Sequence, residues 1–150
     1  MHWRTPILIV LVLICTSSYA QEISYRKHIR PLWEARCSPC HGAASPEGAE
    51  FDENKEKFKA LSKGPRMDSY VGLVSFVAWP DTGALMRRLD DGKSTTDGKP
   101  GNMYVNLGAS EEERQKNLAL FKAWVGASAW MPKRPDAITK EELLRIKVKY

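Results

Sequence analysis

The stretch Cys37-Ser38-Pro39-Cys40-His41 decides how the rest of this 150-residue chain is read. Two thiols separated by two residues and followed at once by an imidazole form the attachment signature of a c-type haem. The chemistry requires that spacing. Each thiol forms a thioether to one vinyl group of the same porphyrin, and the histidine that follows is then held beneath the iron as proximal ligand. Two other readings compete. A zinc site needs about four ligands of Cys, His or carboxylate type, and beyond residue 20 the chain offers no further Cys and only His28 as another imidazole. A thioredoxin-like dithiol belongs beside a βαβ pattern, and no convincing strand surrounds this motif. Covalent haem c on Cys37 and Cys40, with His41 on the iron, is therefore the leading reading.

Upstream, Met1-His2-Trp3-Arg4 is a short basic region, Ile7 to Cys15 is a nearly unbroken apolar run, and Ser18-Tyr19-Ala20 places small residues where a signal peptidase cuts. Residues 1–20 read as a secretory signal cleaved after about Ala20. The apolar run falls short of the roughly 20 residues of a membrane span, so the processed chain is not expected to cross a membrane. Ile14 stands before Cys15 where a lipidation signal carries a small residue, which argues against a lipid anchor. Export to the periplasm agrees with the motif: haem c is attached outside the cytoplasm, where a bare Cys pair tends to become a disulfide.

Removal of residues 1–20 leaves 130 residues, the size of one domain, with 22 basic and 18 acidic side chains. Charges of both signs alternate along the chain, so no basic stripe suggests nucleic acid. A basic rim that meets an acidic protein partner fits this balance better.

Residues 21–27 read as irregular. Pro31 suits the first turn of a short helix from about Arg30 that delivers the cysteines, with Leu32 and Trp33 inward. His28, just before it, is a rival haem ligand but reads better as a surface or capping residue. From Gly42 to Arg66 the chain is polar, with Phe51, Phe58 and Leu61 as its large apolar residues. It reads as a loop with one or two helical turns around the haem edge. Ser69 caps an apolar segment over Tyr70 to Ala78 that ends at Trp79-Pro80. That segment reads as helix rather than buried strand because no strand partner exists for it. A short helix follows over Ala84 to Leu89, where Arg87 or Arg88 is a candidate to pair with a haem propionate. Asp90 to Gly101 has loop composition. Ser110 and Glu113 then form a capping box for a helix over Glu111 to Val125, with Leu118, Phe121, Trp124 and Val125 on its buried face and Gly126 at its end. A second capping box, Thr139 with Glu142, starts a last helix that places Leu143, Ile146 and Leu144 inward.

The motif at the end of a leading helix, then helices, then a Met-bearing loop before a Glu-capped amphipathic helix, resembles the class I monohaem cytochromes c. The closing segment, Met103-Tyr104-Val105-Asn106-Leu107-Gly108 followed by Glu112-Glu113-Arg114 and Leu118 to Trp124, carries the rest of the likeness. The resemblance implies a small all-α domain, residues 21–126, wrapped around one covalently attached haem c. It implies that Phe121 and Trp124 pack across Leu32 and Trp33. It also implies a Met thioether as sixth iron ligand, and Met103 stands at the matching place. Residues 127–150 extend beyond what the family needs, and are expected to pack on the same domain. They contain Met131-Pro132 before a capped helix, so Met131 is the alternative ligand. Met67, Met86, His28 and an open position are the remaining candidates.

Iron with both axial positions filled leaves one-electron transfer as its chemistry. The expected function is a periplasmic electron carrier between respiratory or oxidative redox enzymes, with transient docking at a basic surface, and not an enzyme in its own right. A permanent haem subunit of a larger redox complex is the alternative, as is a gas-binding or sensing module if the sixth position is open.

Overall fold

The computed structural model describes residues 22–150; the expected signal sequence, residues 1–20, lies outside them. Helices and loops make up the whole of this part, with no strand among the described residues, as an all-α haem domain requires.

Two segments build the core. Tyr25–Ile29 is a π-helical turn that runs directly into α1, Arg30–Arg36, so the stretch before Arg30 is ordered helix and not irregular chain. Its reason is apolar spacing: Tyr25, Ile29 and Trp33, four residues apart, are all buried on one side. The other segment is α7, Glu111–Val125, whose Leu118, Phe121, Trp124 and Val125 are almost completely buried. α7 packs on the Tyr25–Ile29 turn. The partners of Phe121 and Trp124 at the start of the chain are thus Tyr25 and Ile29 as well as Trp33; Leu32 lies at the edge of the same cluster.

Between them lie α2, Ser38–His41, then α3, Gly48–Glu53, and α4, Lys55–Ala60, followed by α5, Tyr70–Ser75, and α6, Ala84–Leu89. Ser69 Oγ accepts the Gly72 N–H at 3.0 Å, which starts α5 as a helix. α5 ends at Ser75, short of the expected Ala78, and the chain continues as turns; Leu73 of α5, Val77 just after it and Met86 of α6 join the core with no exposed surface.

Gly126 ends α7 at φ +109°, a conformation side chains rarely adopt, and the chain turns back. Residues 127–150 close over the two core segments. The Lys147 and Val148 N–H groups donate to the Val125 and Trp124 carbonyls at 2.9 and 3.0 Å. The Lys149 carbonyl accepts from both the Tyr25 N–H and the Trp124 indole, each at 2.8 Å. Tyr150 stacks on Tyr25 and meets Tyr70 edge-on. The last helix, α8, is one turn, Lys140–Leu143, with its capping box complete. Its apolar residues differ from expectation: Ile146 packs on the core, whereas Leu143 is 39% and Leu144 76% exposed. The turn ends at Leu143, and it is the chain after it that carries Ile146 onto the core, leaving Leu143 and Leu144 in water.

Candidate functional site

The attachment motif is presented by two short helices. Pro31 lies in the first turn of α1, and the Cys37 N–H donates to the Trp33 carbonyl at 2.7 Å, ending that helix at the first thiol. One turn, α2, then carries Ser38 to His41, with the His41 N–H donating to the Cys37 carbonyl at 2.9 Å. Cys37, Cys40 and His41 all lie in the wall of one cavity of about 680 Å³, within the range of about 300–1,000 Å³ typical of cofactor sites. Both thiols are free and not joined as a disulfide. Burial, and to a lesser degree the neighbouring Cys40, pushes the Cys37 thiol up to about 12.

His41 is oriented from behind. Its Nδ1 lies 2.8 Å from the Pro65 carbonyl oxygen. A carbonyl only accepts, so Nδ1 carries the hydrogen and Nε2 is the free lone pair. Burial lowers the pKa of His41, partly opposed by this hydrogen bond, which keeps the ring neutral and able to ligate. The ring rests on Gly64: a Cβ built there would stand 2.1 Å from Cε1. The Gly64 N–H in turn donates to the Cys40 carbonyl at 2.8 Å, and the Met67 N–H to the His41 carbonyl at 3.0 Å.

The methionines separate by place. Met103 lines the cavity. Its N–H donates to the Arg88 carbonyl at 2.9 Å, and its sulfur lies 3.6 Å from the Asn106 side-chain nitrogen. Met131 does not line the cavity; it is buried in the core, and its N–H points at the Met86 sulfur at 3.1 Å. Met86 is fully buried in the same place. Met67 lines the cavity, but its backbone bond to His41 ties it to the histidine side. His28 does not line the cavity, and its Nδ1 lies 3.1 Å from the Ser24 N–H.

Of the two arginines, Arg88 lines the cavity and donates to Asn102 Oδ1 at 3.1 Å. Arg87 is committed elsewhere, to Asp81, the Thr82 carbonyl and the Lys133 carbonyl. The segment Gly48 to Lys63 contributes Phe51, Lys55, Lys59 and Lys63 to the cavity wall. Lys55 is paired with Asp52 and Lys59 with Glu56. Trp33 also lines the cavity, and its buried indole N–H has no acceptor among the described residues, a donor for which the protein supplies no partner.

These residues fit a covalently held porphyrin: two free thiols at the required spacing, a neutral imidazole with Nε2 open, a thioether in the same cavity, and a largely apolar wall. They do not fit zinc, since no three Cys, His, Asp or Glu side chains come together as a metal site among the described residues. Gly64, Pro65 and Asn106 escaped the sequence reading. The Gly-Pro pair is a turn signal, but nothing in one sequence says that a carbonyl 24 residues away meets His41.

The fold and this donor set define a monohaem c-type cytochrome. A family profile described as PccH cytochrome c matches residues 24–150. The solved structure of the monohaem cytochrome PccH from Geobacter sulfurreducens is similar at 59% identity and a TM-score of 0.80, covering 87% of this chain and 100% of that one. No curated protein matches the sequence. The chain belongs to the PccH cytochrome c family, and with it carries one covalently bound haem c and serves electron transfer.

Proposed function

We propose that the chain is an exported one-electron carrier whose haem iron is held by His41 Nε2 and the Met103 thioether. The placement of Met103 in the same cavity wall as Cys37, Cys40 and His41 carries this reading. The bound haem supplies a reversible one-electron couple. The protein's own residues do the rest. Pro65 and Gly64 fix the imidazole, the Arg88 carbonyl holds the Met103 backbone, and the Asn106 amide holds its sulfur. A thioether in place of a second histidine raises the potential. No helix among the described residues is long and apolar enough to cross a membrane, and the family is one of typically exported proteins. Cleavage after Ala20 and a periplasmic site of action complete the proposal.

The carrier links a donor dehydrogenase to a reductase or oxidase by weak, salt-sensitive docking. The contact face is the cavity rim, which Lys55, Lys59 and Lys63 line together with Met103.

The test is the absorption spectrum of the ferric protein beside Met103→Ala and Met131→Ala, in the weak red-end band that reports sulfur on ferric iron. Loss of the band in Met103→Ala alone is expected. A wild-type protein without the band, whose reduced form takes up carbon monoxide readily, would instead be a gas-binding module.

A further inference from the structure

The residue that follows Met103 enters a hydrogen-bonded cluster that has no part in the site described so far. Tyr104 is 8% exposed, and its hydroxyl lies 2.5 Å from Glu111 Oε1. Gln115, one turn further along α7, places its side-chain nitrogen 2.8 Å from the same hydroxyl, 3.0 Å from Glu111 Oε1 and 3.0 Å from Asp91 Oδ2. The directions are fixed by chemistry. Two of these partners are carboxylates that only accept, so the amide NH₂ must face them, and the Tyr104 hydroxyl accepts from Gln115 while donating to Glu111. One amide therefore joins three segments: the loop that begins at Asp91, the turn Tyr104–Leu107 that carries Met103 at its start, and the long helix α7.

The Met103 side chain is held more lightly than its backbone. The Met103 N–H donates to the Arg88 carbonyl and the Met103 carbonyl accepts the Asn106 N–H at 3.0 Å, whereas the sulfur touches one amide, at 3.6 Å. The side chain is only partly buried. How firmly the sulfur stays in place is then set by the residues on either side of it.

We propose that Gln115 is a positioning residue for the Met103 thioether, clamping the Met103 turn to α7 through Tyr104 and to the preceding loop through Asp91. The inference rests on the reading of Met103 as the sixth ligand. Without the clamp the turn opens more often, and an external ligand competes for the vacated position in proportion to the open fraction.

Imidazole binding to the ferric holoprotein tests this. Gln115→Leu keeps the bulk of the side chain and removes the donors, and its imidazole affinity is expected to rise about tenfold, the factor that about 1.4 kcal/mol of lost hydrogen bonding corresponds to. Tyr104→Phe should rise similarly. The double variant should match either single one and not their product, because both break one unit. Trp130→Phe is the structural control: it removes a partly buried bond to Asp90 that involves neither Gln115 nor Tyr104, 2.7 Å in the wild type, and should lower the melting temperature with imidazole affinity unchanged. Wild-type affinity in both Gln115→Leu and Tyr104→Phe overturns the proposal, as does an equal rise in Trp130→Phe. Met103→Ala separates the two readings: a large rise there with none in the clamp variants removes the clamp alone, and no rise there removes Met103 as ligand and the clamp with it.

Discussion

At Gly64 a missing side chain sets the direction of an imidazole. The His41 ring occupies the space a Cβ would take, 2.1 Å from Cε1, and cannot retreat while its Nδ1 is held by the Pro65 carbonyl. Gly64→Ala must therefore turn the ring, shift the 64–65 backbone or break that hydrogen bond. Overpacking of this kind costs about 1–3 kcal/mol, and here it falls on the histidine proposed to hold the iron. The expected outcome is a changed ferric low-spin EPR signal together with a lower melting temperature. A Gly64→Ala protein with the wild-type signal would show that the ring does not lean on residue 64. The Cys37-Ser38-Pro39-Cys40-His41 motif is legible in the sequence because attachment chemistry demands neighbours in the chain. Gly64 and Pro65 are not, since their roles exist only once the loop after α4 has folded back on α2.

Two helices start with the same capping motif and differ in what they hold. Ser110 Oγ accepts the Glu113 N–H at 3.2 Å, while the Glu113 carboxylate reaches past Ser110 to the Ala109 N–H at 2.8 Å and also pairs with Arg36. Thr139 and Glu142 close a full box. Yet α7 carries four of the largest core residues and α8 carries none. Ser110→Ala should cost about 1 kcal/mol and lower the melting temperature by roughly 3–5 °C, whereas Thr139→Ala should move it by less than about 1 °C. Thermal unfolding of the two variants side by side distinguishes them, and equal losses would mean that the tail is as much a part of the cooperative unit as α7. The same contrast explains what local pattern could foretell. Both helix starts are legible from their caps, and so is that of α5. The exposure of Leu143 and Leu144 is not, because a cap says where a helix begins and not how long it lasts. The π-helical turn at Tyr25–Ile29 was missed for a related reason: its polar residues Arg26, Lys27 and His28 hide a two-point apolar pattern that takes on meaning only against α7 and the returning tail.

The whole molecule is stitched together at Asp90 and Asp91, where the loop before Met103, helix α7 and the C-terminal tail meet. Asp90 is completely buried and accepts from the Gly92 and Ser94 N–H groups and from the Trp130 indole, which fastens the tail to the loop. Asp91, with its side chain 3% exposed, faces Gln115, Lys93 and Lys122. Burial by itself would raise the pKa of Asp91, but the Gln115 amide, the Lys93 ammonium and backbone and the charge of Lys122 outweigh it and hold the group at about 2, below the ordinary value of 3.8. A carboxyl depressed on folding stabilises the fold above its unfolded pKa, and that contribution is lost as pH falls through the folded value. The shift corresponds to an upper bound of about 2 kcal/mol, reduced by solvent screening of the lysines. Asp91→Asn should therefore unfold more easily than the wild type at pH 7 by up to that amount. The gap should narrow below about pH 4, be mostly gone at pH 2, where the wild-type carboxyl is half protonated, and close below that. Glu111, also held at about 2 by Tyr104, Gln115 and Arg114, titrates in both proteins and cancels in the difference. Denaturant unfolding of the pair at pH 7, 4 and 2 measures the gap directly. A gap that stays constant over this range would show that Asp91 fastens its loop to α7 by shape and hydrogen bonding alone, with its charge contributing nothing.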